Sequence, residues 1–314
     1  MADKTKIEWT DATWNVFTGC SVHSAGCRGC YAMLLAGTRL ARHPTRAGLT
    51  IDTKTGPVWT GEVRFNPQWL DQPLRWARGR SIFVCAHSDL FHENVPDHLI
   101  DRVFAVMALA PQHEFQVLTK RSARMRQYLT TPRRRDAIAR EIAVLLADGR
   151  YRRADQVAKD RGYGMTIPGE YWPLPNVVGM VSAEDQDAAN ERISDLVSTP
   201  FANRDLSLEP LLGPIDLKPW LWRQGRFGAE PSRLIRQVIV GGESGPRARP
   251  MHPDWSRSIR DQCKPAGVAF NLKQWGAFGV SGLSSEKWIV RRDGSHDPMP
   301  TPNGVAHHPP RDGA

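Results

Sequence analysis

The residues best able to do chemistry are three cysteines set within eleven positions: Cys20, Cys27 and Cys30 form a C-x6-C-x2-C pattern. Thiolates are ligands for soft metals, and free cysteines rarely gather so closely without a metal or redox task. Gly19, Gly26 and Gly29 stand beside them and give the loop freedom to turn its sulfurs toward one point. Three protein thiolates on a four-iron cluster leave one iron open, which can bind and cleave a small-molecule cofactor as well as carry an electron. His23 lies in the same loop, so Cys20-x2-His23-x3-Cys27-x2-Cys30 also describes a Cys₃His zinc site. The expectation is a [4Fe–4S] cluster on Cys20, Cys27 and Cys30, with Zn as the alternative.

Such a loop needs a scaffold, and the chain supplies a rhythm of short β-rich runs ending in polar residues. The runs are TWNVFTGC (13–20), GEVRF (61–65), SIFVCAHSD (81–89), EFQVLTKR (114–121), NVVGMVSAE (176–184), RDLSLEP (204–210), RQVIVGGES (236–244) and VAFNLKQWG (268–276). Several are continuously apolar, as parallel strands covered on both faces must be. Helical spacers follow most of them, among them CYAMLLAGTRLARH, PDHLIDRVFAVMALAP, EDQDAANERISDLVS and HPDWSRSIRDQCKPAG. The spacers after the second and sixth runs are broken by proline and predict single turns. This pattern predicts an α/β fold with a parallel (β/α) barrel, closed and eight-stranded or a partial TIM-like relative, over residues 1–280. A doubly wound sheet is the main rival, but no run is followed by GxGxxG. Residues 128–170 interrupt the rhythm and read as a helical basic insertion. Residues 281–314 read as one more strand, in EKWIVRRDG, and a disordered Pro-, Gly- and His-rich tail.

If the strands share a barrel, their carboxyl ends line a pocket. Six of the eight runs end in polar groups there: His87, Ser88 and Asp89; Thr119, Lys120 and Arg121; Ser182 and Glu184; Ser207 and Glu209; Glu243 and Ser244; Lys273 and Gln274. Lys273 is the best candidate for a buried charge, paired with Glu209 or Glu243, and these three are the candidate catalytic groups. Lys120 and Arg121 are candidates to clamp a phosphate or carboxylate. Cys85, inside the apolar IFVC, and Cys263, in a helical pattern, read as core residues. His87 and His92 flank Asp89 without a recognised metal spacing, so a structural role is expected. Trp9, Trp14 and Trp275 could stack on a base, but core packing accounts for most tryptophans.

Formal net charge is +9 in 314 residues. Residues 121–161 hold twelve Lys and Arg against five Asp and Glu, so most of the excess sits in this one segment, which overlaps the insertion. Arg133, Arg134 and Arg135 are its densest part and point to a polyanionic partner, a nucleic acid or nucleotide, or else to a solvated helical face. The opening MADKTKIEWTDATW has no signal-peptide core, and the most apolar stretch, VFAVMALAP, is about half a membrane span. A cytoplasmic protein with no membrane partner is expected, and five cysteines in odd number argue against a disulfide scaffold.

The stretch IEWTDATWNVFTGC…GCRGCYA, with SDLFHENVP, FQVLTKR, GMVSAEDQ, LSLEPLLGPIDL, VGGESGPRARPM and FNLKQWGAF, resembles the three-cysteine-motif proteins of phages and bacteria. That family of unassigned function is itself similar to radical S-adenosylmethionine enzymes, whose loop has a first gap of three residues where this one has six. The resemblance spans residues 6–279. It implies a cluster that reduces S-adenosyl-L-methionine to give a 5′-deoxyadenosyl radical, a reductant protein, and a partner protein encoded nearby. It also implies cofactor-binding roles for Ser182, Glu184 and Ser207, and for the turn Gly241, Gly242, Glu243 and Ser244. A zinc-stabilised nucleic-acid-binding protein without catalysis is the second expectation. A metal-dependent hydrolase is a third, for which no HxH or HExxH pattern supplies ligands.

Overall fold

Seven of the eight runs are strands in parallel ladders; the eighth is not. The computed structural model describes residues 5, 7, 9–223, 232–245, 247–277, 288–290 and 296–298, and the chain divides into two units, Met1–Val181 with Ser194–Arg204 and Ser182–Ile193 with Asp205–Ala314. The first unit carries β1 (Ala12–Trp14), β2 (Ser81–Val84), β3 (Glu114–Thr119) and β4 (Val177–Ser182), paired in chain order and all parallel. One row across them, Ala12, Ile82, Phe115 and Val177, is fully buried. Each larger side chain in it contributes about 1.5–3 kcal/mol over exposure. β4 is buried at every position, which is why its sequence shows no alternation.

Helices cover this sheet as the apolar spacing requires. α1 (Tyr31–Gly37) follows the cysteine loop, and α2 (Asp97–Leu109) starts after Pro96 with Asp97 in its first turn. Nine of the thirteen residues of α2 are buried, and helix α4 (Arg134–Leu146), whose Ile138, Ala139 and Ile142 are buried too, packs on it. Between β3 and β4 lie α3 (Ser122–Thr130), α4 and α5 (Arg152–Asp160), so the expected insertion is helical.

The run at 61–65 is the correction to the eight-stranded expectation. Only Arg64–Phe65 is extended, and it pairs antiparallel with Phe17–Thr18. Its alternation of Glu62 and Arg64 with Val63 and Phe65 is the mark of a half-exposed antiparallel edge, and Glu62 and Arg64 form an ion pair on one face. An unexpected hairpin pairs Thr50–Thr53 with Gly56–Trp59. The proline-broken spacers do form single turns, Gln72–Arg75 and Lys218–Leu221.

The second unit holds β5 (Asn203–Leu208), β6 (Gln237–Gly241) and β7 (Ala269–Gln274), again parallel. Leu206, Val238 and Phe270 align on one face, with Leu208, Val240 and Leu272 a row further on. The other face carries Ser207, Ile239 and Asn271. α6 (Gln186–Val197) follows β4, and α7 (Pro253–Cys263) follows β6 and packs on β7. The expected late strand is present as Trp288–Val290, antiparallel to β7; His296–Pro298 pairs with it, inside the stretch read as disordered. The rest of that tail, from residue 299, lies outside the described residues. No described helix is long and apolar enough to cross a membrane.

Candidate functional site

The cysteine loop leaves the carboxyl end of β1 and runs into α1, with Cys30 at the helix N-cap. Of its three glycines, only Gly19 uses a left-handed conformation (φ 93°), and a Cβ there would lie 2.2 Å from the Glu62 carbonyl oxygen. Cys20 and Cys30 pack on a small apolar cluster of Ala32, Met33, Ala36, Leu49 and Trp59. Cys30 lies close enough to both Cys20 and Cys27 to interact with each electrostatically. Burial pushes the Cys20 thiol up to about 12, with Asp89 adding to the rise and Arg121 opposing it. Burial also raises Cys30, against the amides of Met33 and Ala32 and the indole of Trp59. The His23 and Ser24 groups flank the third sulfur, with the His23 N–H 3.5 Å from Cys27 Sγ.

Among the described residues, no three His, Cys, Asp or Glu side chains lie close enough to share one metal ion. Tetrahedral ligands of one zinc at about 2.3 Å would bring their sulfurs within roughly 4 Å of one another. A four-iron cluster takes each thiolate at a different iron, so it suits a wider spread. His23 is exposed.

Behind the loop stands Arg121, 5% exposed, at the carboxyl end of β3. Its Nη1 donates to Asp89 Oδ2 (3.2 Å) and reaches Cys20 Sγ (3.6 Å); Nε donates to Glu93 (2.9 and 3.0 Å) and Nη2 to Ser21 Oγ (2.6 Å). Asp89 also accepts from the Phe91 N–H (2.9 Å), the Thr119 hydroxyl (2.7 Å) and the Lys120 N–H (3.2 Å). Ser21 Oγ meets His92 Nε2 at 3.0 Å. Because the Asn94 N–H donates to His92 Nδ1 (3.1 Å), Nε2 carries the proton and donates to Ser21. His92 thus ties Ser21 of the cysteine loop to the segment that follows Asp89. Arg121 is no free anion clamp: its donors are spent on positioning the cysteine loop, and Lys120 contributes its backbone to the same carboxylate.

The arginine triplet of the insertion is likewise divided. Arg133 is exposed and pairs with Asp136 (3.2 Å), and Arg135 is exposed with Nη1 3.4 Å from the Ile167 carbonyl. Arg134 is 7% exposed, paired to Asp97 and Asp101 at 2.8 Å each and lying 3.9 Å over the Tyr128 ring. It holds α4 to α2 and is not available to a polyanion, which corrects its assignment.

In the second unit the expected lysine pair is present. Lys273 Nζ lies 3.0 Å from Glu209 Oε1, and Ser207 Oγ lies 3.3 Å from Glu209 Oε2. Gly241, on the intervening strand, makes this possible: a Cβ there would meet Glu209 Oε1 at 2.3 Å. Asn271 Oδ1, on the same face, is buried without a partner among the described residues. Glu243 does not join them; it is buried in a bidentate pair with Arg249 (2.7 and 2.8 Å) and also accepts the Arg249 N–H. Glu184 is 1% exposed and paired to Arg192 (2.9 Å). The Ser182 hydroxyl donates to the Glu209 carbonyl (3.0 Å), Ser182 and Ser207 are buried, and Gly242 packs on the Trp275 carbonyl. Glu184, Ser182, Gly241 and Gly242 thus make internal contacts, while Ser244 is exposed. Sequence reasoning missed Arg249 and Glu93, although both stand inside quoted motifs, and it missed Arg192, which only the fold brings to Glu184.

Cys85 and Cys263 are buried core residues, as expected, and burial raises both thiols. Trp14 is also core, donating to the Trp69 carbonyl (2.7 Å), and Trp9 lies 4.8 Å from the Phe83 ring.

Fold and site together define a parallel-stranded α/β protein with a buttressed three-cysteine loop and a separate Glu–Lys pair. The chain belongs to the family described as "Protein of unknown function (DUF5131)", whose model matches residues 4–297. No curated protein and no solved structure matches it.

Proposed function

We propose that this protein is an iron–sulfur enzyme of the radical S-adenosylmethionine type, with Cys20, Cys27 and Cys30 each ligating one iron of a [4Fe–4S] cluster. The observation that carries this reading is the loop itself: three thiols on one loop between β1 and α1, with Cys30 in electrostatic reach of both others and a buried arginine against Cys20. When bound, such a cluster supplies one electron and an open coordination position for the amino and carboxylate groups of S-adenosylmethionine. The chain's own part is to hold and tune the sulfurs. Arg121 favours the Cys20 thiolate, and the N–H donors around Cys30 favour its thiolate. Burial keeps both sulfurs protonated until a cation arrives, so loading the loop releases protons. Lys273, held by Glu209, is the proposed catalytic cation of the second unit. Arg133 and Arg135 are the proposed contacts to a nucleotide or nucleic-acid substrate, in a cytoplasmic enzyme served by a reductant protein. Anaerobic incubation of the dithionite-reduced protein with S-adenosylmethionine tests the proposal. It predicts 5′-deoxyadenosine by mass spectrometry, abolished in Cys27→Ala; no 5′-deoxyadenosine from iron-loaded wild-type protein would contradict it.

A further inference from the structure

Buried arginines in this chain lie against carboxylates: Arg121 against Asp89, Arg134 against Asp101, Arg192 against Glu184. Arg46 does not. It is 6% exposed, and its one side-chain hydrogen bond among the described residues runs from Nη1 to the hydroxyl of its neighbour Thr45. Its Nε is buried without a partner among the described residues, and its guanidinium stands 5.9 Å from the centre of the Trp69 ring. A ring face screens a cation weakly and cannot replace a counter-ion for a charge taken out of water.

A second unsatisfied group lies close by. His87 Nδ1 is buried with no partner among the described residues. Thr18 Oγ1 donates to the Thr45 carbonyl (2.7 Å), and the next residue, Gly19, donates its N–H to the His87 carbonyl (3.1 Å). Thr45, the neighbour of Arg46, and His87 are therefore tied to the consecutive residues Thr18 and Gly19, and the Arg46 charge acts on the His87 ring. Burial, and next the charge of Arg46, hold the His87 imidazole down to about 4, so it is neutral near pH 7 and can donate from Nδ1–H. Burial alone lowers the Arg46 guanidinium to about 10, with no acidic group contributing, and it stays charged.

We propose that Arg46 and His87 form a binding site for a small oxyanion, a carboxylate or phosphate group, with the guanidinium as counter-ion, the imidazole Nδ1–H as second donor and Trp69 as one wall. An oxyanion supplies what the site lacks, a negative charge with several acceptor positions. The site uses none of the three cysteines and does not depend on a cluster.

The test is calorimetric titration of the full-length protein, exchanged into chloride buffer, with inorganic phosphate and with acetate at constant ionic strength. The expected result is saturable binding of at least one of them, one per chain. Arg46→Met should weaken it at least about tenfold, the equivalent of one lost charge-assisted hydrogen bond. Binding of phosphate alone assigns a phosphate ligand, and of acetate alone a carboxylate. Absence of binding to the wild type, or equal affinity in wild type and Arg46→Met, overturns the site. Circular dichroism checks that the variant folds. Should Arg46→Met not fold, His87→Phe carries the same comparison, and an unchanged affinity there overturns the site equally.

Discussion

Replacing Arg121 with Met tests whether the cysteine loop is held by the buried network behind it. The substitution keeps most of the side-chain volume and removes the charge, leaving Asp89 buried without its cation. Breaking one partner out of a buried pair costs about 3–5 kcal/mol. The lower end applies here, because Asp89 keeps the Phe91 N–H, the Thr119 hydroxyl and the Lys120 N–H. The pair with Glu93 adds little, since the Glu93 side chain is 58% exposed and such pairs are worth at most about 1 kcal/mol. The expected loss is about 3 kcal/mol, a fall of about 1 M in the urea midpoint for a slope of roughly 3 kcal/mol/M. Asp89→Asn on top of Arg121→Met should cost less than the two single losses summed, with a coupling of about 2 kcal/mol. A loss under about 1 kcal/mol for Arg121→Met, or simple additivity, would refute the network as the loop's support.

Three other outcomes follow from the geometry. His87 binds its proton at about 4 in the folded protein and near 6.5 unfolded, so the unfolded state takes up protons first and stability falls as pH drops through that window; His87→Gln should flatten the pH dependence of the urea midpoint there. Gly241→Ala sets a methyl group 2.3 Å from Glu209 Oε1 and should displace Glu209 from Lys273, at a cost of about 1–3 kcal/mol by chemical denaturation; wild-type stability would show that the pair does not need the glycine. Arg134→Ala should cost about 3 kcal/mol and Arg133→Ala within about 0.5 kcal/mol, while only Arg133 and Arg135 substitutions should weaken salt-dependent nucleic-acid binding without unfolding.

The strands were legible because parallel strands buried on both faces must be continuously apolar, as VVGMVS and SIFV are. GEVRF differs from these: it alternates charged and apolar residues, the mark of a half-exposed antiparallel edge. The Lys273–Glu209 pair could be anticipated because both residues end strands of the same ladder set. Which strand-end carboxylates stay open could not. Glu243 and Glu184 look like Glu209 in sequence, yet each is closed by an arginine, one from the following loop and one from the following helix. Burial of Arg134 inside RRR was equally hidden, since it depends on Asp97 and Asp101 of α2 turning toward it.

The central claim is that the three-cysteine loop holds an iron–sulfur cluster. The most direct measurement is iron and sulfide analysis of anaerobically purified protein, with electron paramagnetic resonance of the reduced sample before and after S-adenosylmethionine. The account predicts about four irons per chain, lost in Cys27→Ala, and a signal that changes on adding the cofactor. Stoichiometric zinc with no iron would contradict it and make a metal-stabilised binding protein the reading to pursue.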